Sequence, residues 1–246
     1  MYTFTHDATT QTEALTDYRY IGNDPYNYVT FNNELWRIIG VFTVEDENGN
    51  KEQRIKIIRN ESIGSKAWDS NDVNEWPTAS LQTYLNGDYY NNLSEEAKAM
   101  LGDAKYYLGG SSSASGQSGP TYYAFERGTT VYSGRSTNWI GKIGLMYPSD
   151  YAYTYANGVD NKCYTDTYNC SSSTPSNGWL YNNAYQWLIS PHSGVSGTAF
   201  LVASTGSLGY YYHVPNAIGA RPSAYLISDI QLDKGTGTED DPYTLK

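Results

Sequence analysis

Side chains that ordinarily do chemistry are few and scattered in this chain of 246 residues. The three histidines, His6, His192 and His213, show no His-x-x-x-His pair that could hold zinc, and the cysteines, Cys163 and Cys170, have no neighbouring histidine. No glycine-rich phosphate loop and no strained nucleophile elbow is present either. Glycoside hydrolysis needs only two carboxylates. Asp69, Asp72, Glu75 and Glu126 are the candidates, the first three close to Trp68 and Trp76, but acidic residues beside tryptophan are also ordinary solvated surface. Cys163 and Cys170 lie in a Tyr/Asn/Ser loop with six residues between them. They suit a small disulfide that constrains the unfolded chain by about 2.5 kcal/mol in the chain-entropy model, or else two buried free thiols.

Binding chemistry is better supplied than catalytic chemistry. Tyr210, Tyr211, Tyr212 and His213 are consecutive, and a strand alternates its faces, so some of these rings reach solvent unless a loop or partner covers them. Around them, from Thr167 to Ala220, 54 residues pass without one Asp, Glu, Lys or Arg. The stretch is rich in Ser, Gly, Asn and Tyr, the composition of an antibody-like paratope in which rigid aromatics stand among small hydrogen-bonding residues. Buried parallel strands can also be free of charge, but they are continuous in Val, Ile and Leu. The expectation is an exposed recognition face. The whole chain repeats the pattern, with 26 Tyr against 5 Phe and 17% charged residues where about 25% is usual. Polar aromatics replace charge as the surface-capable residue. The net charge of −10 repels nucleic-acid phosphate and anionic lipid, and no apolar run approaches the ~20 residues of a spanning helix.

The elements that must position such a face are mostly strands. Tyr28–Phe31 and Leu35–Phe42 flank Asn32-Asn33-Glu34 and predict a hairpin; Thr43-Val44 and Arg54–Arg59 flank an Asp/Asn-rich turn with Asn48-Gly49 and predict a second. Helix signals are confined to two short segments, one after Trp76-Pro77 and one capped by Ser94 with Glu95 and Glu96 in its first turn. Gly109–Pro120 has linker composition and is expected as a surface loop inside one domain. Further strand-like runs are expected at Thr129–Tyr132, Trp139–Pro148, Leu188–His192, Ala199–Ala203 and Ala224–Ile227. The class is α+β, β-dominated, with two short helices and long loops, residues 1–20 forming an N-terminal extension and 21–246 a single ligand-binding domain.

Several segments carry a family resemblance. Asn27–Val41, Lys142–Tyr151, Trp187–Pro191 and Gly219-Ala220-Arg221-Pro222-Ser223-Ala224-Tyr225-Leu226 resemble a family of secreted proteins from gut-dwelling Gram-positive bacteria. That family is similar to the C-type-lectin-like fold in its formylglycine-generating-enzyme-like branch. The branch also includes the variable proteins of diversity-generating retroelements, which present a hypervariable ligand-binding face near the C-terminus. Adenine mutagenesis there, chiefly in Asn-type codons, yields Tyr, Ser, Asn, Asp, His, Ala, Gly and others but never Lys or Glu, and the charge-free stretch occupies the corresponding place. One departure is visible: Gly-Ala-Arg-Pro stands where Gly-Val-Arg-Pro is usual. The sequence also lacks the Glu-Pro-Asn, Gln-Pro-Asp and Trp-Asn-Asp triplets of calcium-dependent sugar-binding lectins and the paired cysteines of the branch's oxidising enzymes.

The resemblance implies a non-enzymatic adhesin or receptor-like module that uses no metal and no cofactor and binds a protein or glycan on another cell or host surface. Its place would be extracellular or at the cell surface, with no membrane insertion of its own. Tyr2–Thr16 is hydrophilic, with neither a basic nor an apolar leader region, so the expectation is either that a leader or anchor lies outside this sequence or that the chain is not exported. The face would run from Tyr181 through His192, Ser193 and Ser196. Strand alternation turns Ala199, Leu201 and Ala203 outward and Phe200 and Val202 inward. Tyr210, Tyr211, Tyr212, His213 and Asn216 complete it. Two other readings remain: a carbohydrate-active enzyme with paired carboxylates near Trp68 and Trp76, and a structural subunit of a surface fibre.

Overall fold

The computed structural model describes residues 1–113, 117–155 and 178–246, with the backbone alone at 209–211. Residues 1–20 are not an extension outside the domain. β1 (Tyr2–His6) and β2 (Leu15–Arg19) pair antiparallel, and β2 continues onto the main sheet at Tyr18 and Arg19. β3 (Tyr28–Phe31) and β4 (Glu34–Glu45) form the expected first hairpin. Asn32 and Asn33 close it with φ of 54° and 56°, the left-handed pair that a two-residue turn requires. β4 and β5 (Lys51–Arg59) form the second hairpin, whose turn is tied by the Asp46 carboxylate accepting the Asn48 and Asn50 backbone N–H groups at 2.8 Å. A β-bulge at Ile38–Gly40 bends β4 beside β2. A Cβ on Gly40 would sit 2.1 Å from the Tyr18 carbonyl oxygen, so only glycine lets the strands meet there.

After β6 (Ser65–Lys66) come α1 (Ser80–Tyr84), extended by a π-helical turn over Leu85–Tyr89, and α2 (Glu95–Met100). Ser94 caps α2 as expected, its hydroxyl accepting the Ala97 N–H. β7 (Ala104–Tyr107) pairs with β8 (Asn138–Gly141). The segment 109–120 is a surface loop only in part. Gly109, Gly110 and Ser111 are buried, and Cβ atoms on the two glycines would fall 2.2 Å from the Phe125 carbonyl oxygen and 2.1 Å from that of Pro191. These glycines serve close backbone packing, not flexibility. Ser118 then caps α3 (Gly119–Glu126), a helix that the linker-like composition hid. Thr129–Tyr132 is not a strand. β9 (Ile143–Gly144) leads to a fourth helix, α4 (Pro148–Ala152), so the described residues hold four short α-helices instead of two. Cys163 and Cys170 lie outside the described residues.

The second sheet is built from β10 (Gln186–Pro191), β11 (Thr198–Val202), β12 (Leu208–His213) and β13 (Ile218–Gly219), in the order β12-β11-β10-β13-β6. β14 (Ser223–Tyr225) returns to the first sheet between β5 and β9. Gly219–Pro222 is therefore the passage between sheets. Arg221 is buried within it, its Nε donating to the Arg59 carbonyl at 2.9 Å and its Nη1 to the Leu180 carbonyl at 3.1 Å. Burial and nearby Arg37 bring the Arg221 guanidinium down to about 10.

The interior contradicts the expectation that tyrosine is here a surface residue. Tyr106, Tyr122, Tyr123, Tyr147, Tyr151, Tyr153 and Tyr225 are all buried. Beside them β1, β2, β5, α3 and α4 enclose an ionic network. Arg19 bridges Asp17 at 2.7 Å and Asp150 at 3.1 Å, and Lys56 reaches the other Asp150 oxygen. His6 Nε2 donates to Asp17 Oδ2 at 2.9 Å while its ring stacks on Tyr123, with centroids 3.6 Å apart. Arg127 lies 3.6 Å from the centroid of the same tyrosine ring. Glu126 takes the Ser149 N–H at 2.7 Å, the Ser149 hydroxyl at 2.6 Å and the Arg127 guanidinium at 3.0 Å. Burial alone would raise the Asp17 carboxyl, but Arg19 and His6 outweigh it and hold it at about 2. At Glu126 burial wins over Arg127 and Ser149, and the carboxyl is pushed up to about 7.

Candidate functional site

Most of the charge-free stretch, among its described side chains, is interior. Ala199, Leu201 and Ala203, expected to face outward, are buried, and so are Phe200 and Val202. Alternation fails as a guide because β11 is covered on both faces. Tyr122 of α3 packs edge-on against Phe200, and the β10 carbonyl of Leu188 accepts the indole N–H of the core residue Trp68 at 3.0 Å. Trp179, Trp187 and Leu208 are buried as well. His192, proposed for the face, is buried too. Its Nδ1 accepts the Gly194 N–H at 3.1 Å, its own N–H meets the Thr198 carbonyl at 3.0 Å, and desolvation lowers its pKa. It organises a turn. Tyr181, half-buried, donates to the Ser204 carbonyl at 2.8 Å and braces the β11–β12 hairpin, while Ser193 and Ser196 are half-buried in the loop between β10 and β11. Tyr210 and Tyr211 pair with Leu201 and Phe200 along β12.

Of the expected face, Tyr212, His213 and Asn216 are the residues that come together at solvent. They line an open concavity of about 480 Å³ together with Val195 and Thr198, within the usual range for small-ligand sites. Register sets this up, because Thr198 stands opposite His213, and Ala199 opposite Tyr212, in the last rungs of the β11–β12 ladder. Tyr185 joins from the loop before β10. Its ring stacks on Tyr212 with centroids 5.5 Å apart and planes at 25°, and both remain more than a third exposed. A hydrogen bond between their hydroxyls, more than desolvation, raises the Tyr212 phenol above its ordinary value.

Three further contributors, which the sequence does not mark as parts of this face, arrive from distant segments. Asp72, which the sequence offers as half of a carboxylate pair, instead meets His213 Nδ1 at 3.2 Å. Its backbone is left-handed, φ 57°, and it lies so near Gly197 that a Cβ there would be 2.6 Å from its Oδ1. Asn74, buried, is the hub of the β10–β11 loop. Its side-chain nitrogen lies 2.9 Å from the carbonyl oxygens of His192, Val195 and Thr198, and its backbone N–H reaches that of Ser196 at 2.8 Å. Arg135 donates from Nε to Asn74 Oδ1 at 3.1 Å and from Nη2 to the Ser196 carbonyl at 3.3 Å. Only the local Asp69-x-x-Asp72-x-Asn74 spacing, with turn-forming residues, hinted at an organised loop.

The other carboxylates proposed for catalysis are structural. Asp69 accepts the backbone N–H groups of Asn71, Val73 and Ser80 at 3.0–3.2 Å, and Glu75 holds the backbone and hydroxyl of Ser136. Glu126 sits in the ionic network on the other side of β11. Trp68 and Trp76 are fully buried and offer no platform to a sugar. Among the described residues, no cluster of His, Cys, Asp and Glu could hold a metal ion, and no helix is long and apolar enough to cross a membrane. No family model, curated protein or solved structure matches the chain.

Proposed function

We propose that this chain is an extracellular ligand-binding module with a C-type-lectin-like fold, related to the variable proteins of diversity-generating retroelements, and that it binds through the rim of the second sheet and not through the sheet's whole surface. The observation that carries the reading is the Tyr185–Tyr212 stack, left half-exposed beside His213, Asn216 and a concavity of about 480 Å³. A monomer has no folding reason to leave two stacked rings at the mouth of a depression, since burial would stabilise them by a few kcal/mol each. Every lining residue of the concavity belongs to the 54-residue charge-free segment, and none is Lys or Glu, the residues that adenine mutagenesis does not produce.

The test is a double variant, Tyr185→Ala with Tyr212→Ala. Its melting temperature stays within about 3 °C of the parent, because exposed side chains contribute little to stability. Binding of the fluorescent protein to gut bacterial and epithelial cells, read by flow cytometry, is lost. Unchanged cell binding, or a collapse of the fold, would refute the assignment of this rim. At the gene, an adjacent reverse transcriptase with a near-copy of the codons for 180–222 is the expected signature of the retroelement relationship.

A further inference from the structure

The concavity has features that distinguish among ligand classes. The residues that line it carry no fixed charge; Asp72, about half-exposed, meets it through His213 Nδ1, and the cation Arg135 is turned to Asn74 and the Ser196 carbonyl. An anionic ligand such as a sialoside, uronate or phosphate would meet the Asp72 carboxylate, with no cation in the lining itself to bind it. Its aromatic equipment is a flat, rigid pair of rings, apolar on the face and polar at the hydroxyl edge. Beside the rings stand planar groups with hydrogen-bonding capacity to spare. Asp72 Oδ2, His213 Nε2 and Asn216 Oδ1 have no protein partner among the described residues, whereas His213 Nδ1 is fixed by Asp72 and Asn216 Nδ2 by the His213 carbonyl at 3.0 Å. The Thr198 hydroxyl on the floor also lacks a partner.

Those groups present acceptors and an acceptor-or-donor nitrogen spaced around one apolar plate. That is the complement of a ring that is apolar on one face and carries hydroxyls around its edge. We infer that the site takes a neutral pyranoside, its C–H face on Tyr212 and its hydroxyls on Asp72, His213 and Asn216, with no metal in the contact. The inference rests on the binding reading above and narrows it. The size agrees, since about 480 Å³ accommodates one or two sugar rings, whereas a protein partner ordinarily needs about 800 Å² of matching surface per side. Positioning comes from outside the contact. Gly197 admits Asp72 to the rim, and Asn74 fixes the loop that carries Val195 and Thr198.

The test is ligand-observed NMR titration of the whole chain, with chelator present, against methyl β-galactopyranoside, methyl α-mannopyranoside, methyl β-N-acetylglucosaminide and N-acetylneuraminate. At least one neutral glycoside binds saturably. Tyr212→Ala weakens it about tenfold, as loss of one aromatic contact predicts, while Tyr212→Phe keeps most of the affinity. Gly197→Ala, which must push Asp72 aside, weakens it as well, and N-acetylneuraminate gains binding only in Asp72→Asn. If no neutral glycoside binds while cell binding persists and still depends on Tyr212, the ligand is a protein and the sugar inference falls, leaving the rim assignment standing. Saturable glycoside binding that ignores Tyr212 overturns the sugar inference at this rim. If cell binding also ignores Tyr212, both readings fall.

Discussion

Two buried regions of this molecule handle charge in opposite ways. Around Arg19, the strands β1, β2 and β5 and the helices α3 and α4 enclose Asp17, Lys56, Glu126, Arg127 and Asp150, every one of them paired. Across α3 and α4, the strands β10 and β11 are equally enclosed yet contain no charge at all. The composition of the second region invites the thought of a solvent-facing paratope, and that of the first invites a surface. Both are core. What differs is what holds each together: one by oriented ion pairs and tyrosine rings, the other by aliphatic packing and backbone hydrogen bonds. Charge density along a chain thus reports the kind of contact a segment makes and not which side of it is wet.

The contrast can be broken experimentally. Lys56→Met removes the fully buried ammonium and leaves Asp150 with Arg19 alone; loss of one partner from a buried pair costs about 3–5 kcal/mol. The expected result is a large fall in the urea midpoint, and a near-silent variant would mean that the network is dispensable. Leu201→Ala probes the other region, with an expected loss of about 3 kcal/mol from a cavity in close-packed surroundings. A change under about 0.5 kcal/mol would return β11 to the surface. The smallest effect sharpens the first region by pH. Glu126 has a folded pKa of about 7, above its unfolded value of 4.5, so the folded state binds the extra proton. Stability from this group is therefore complete below pH 4.5 and declines as pH rises through 7, by about 2–3 kcal/mol in all. Asp17, held at about 2, acts in the opposite sense, its contribution being present above pH 4 and lost as pH falls toward 2. Glu126→Gln removes the decline between pH 5 and 8 in denaturation curves, and an unchanged slope would show that the carboxyl stays ionised throughout.

Local rules account for what was legible. The Asn32-Asn33 turn, the Asp46 turn and the Ser94 cap each depend on a few neighbouring residues, and each formed where the sequence placed it. Misreadings arose where distant partners decide. Gly109-Gly110 has the composition of a linker, but the Phe125 and Pro191 carbonyls make it a packing point. Tyr2–His6 looks like an isolated hydrophilic start until Arg19 finds Asp150 on the far side of the chain. At the candidate site, Tyr212, His213 and Asn216 were legible as exposed polar aromatics and amides in one run. Asp72, Asn74 and Arg135 were not, since no local pattern shows that segments 60 to 140 residues away will converge on that rim. Tyr185 was overlooked because it precedes the strand that its neighbours occupy.

Asn74 and Arg135 grip the 192–198 loop entirely by its carbonyl oxygens, a feature that every amino acid possesses equally. The shape of that loop is thereby divorced from the identity of Ser193, Val195 and Ser196, whose side chains carry no share of the tether. A lineage could trade those letters generation after generation, acquiring new tastes in what it holds, while the hand that holds it keeps the same grip.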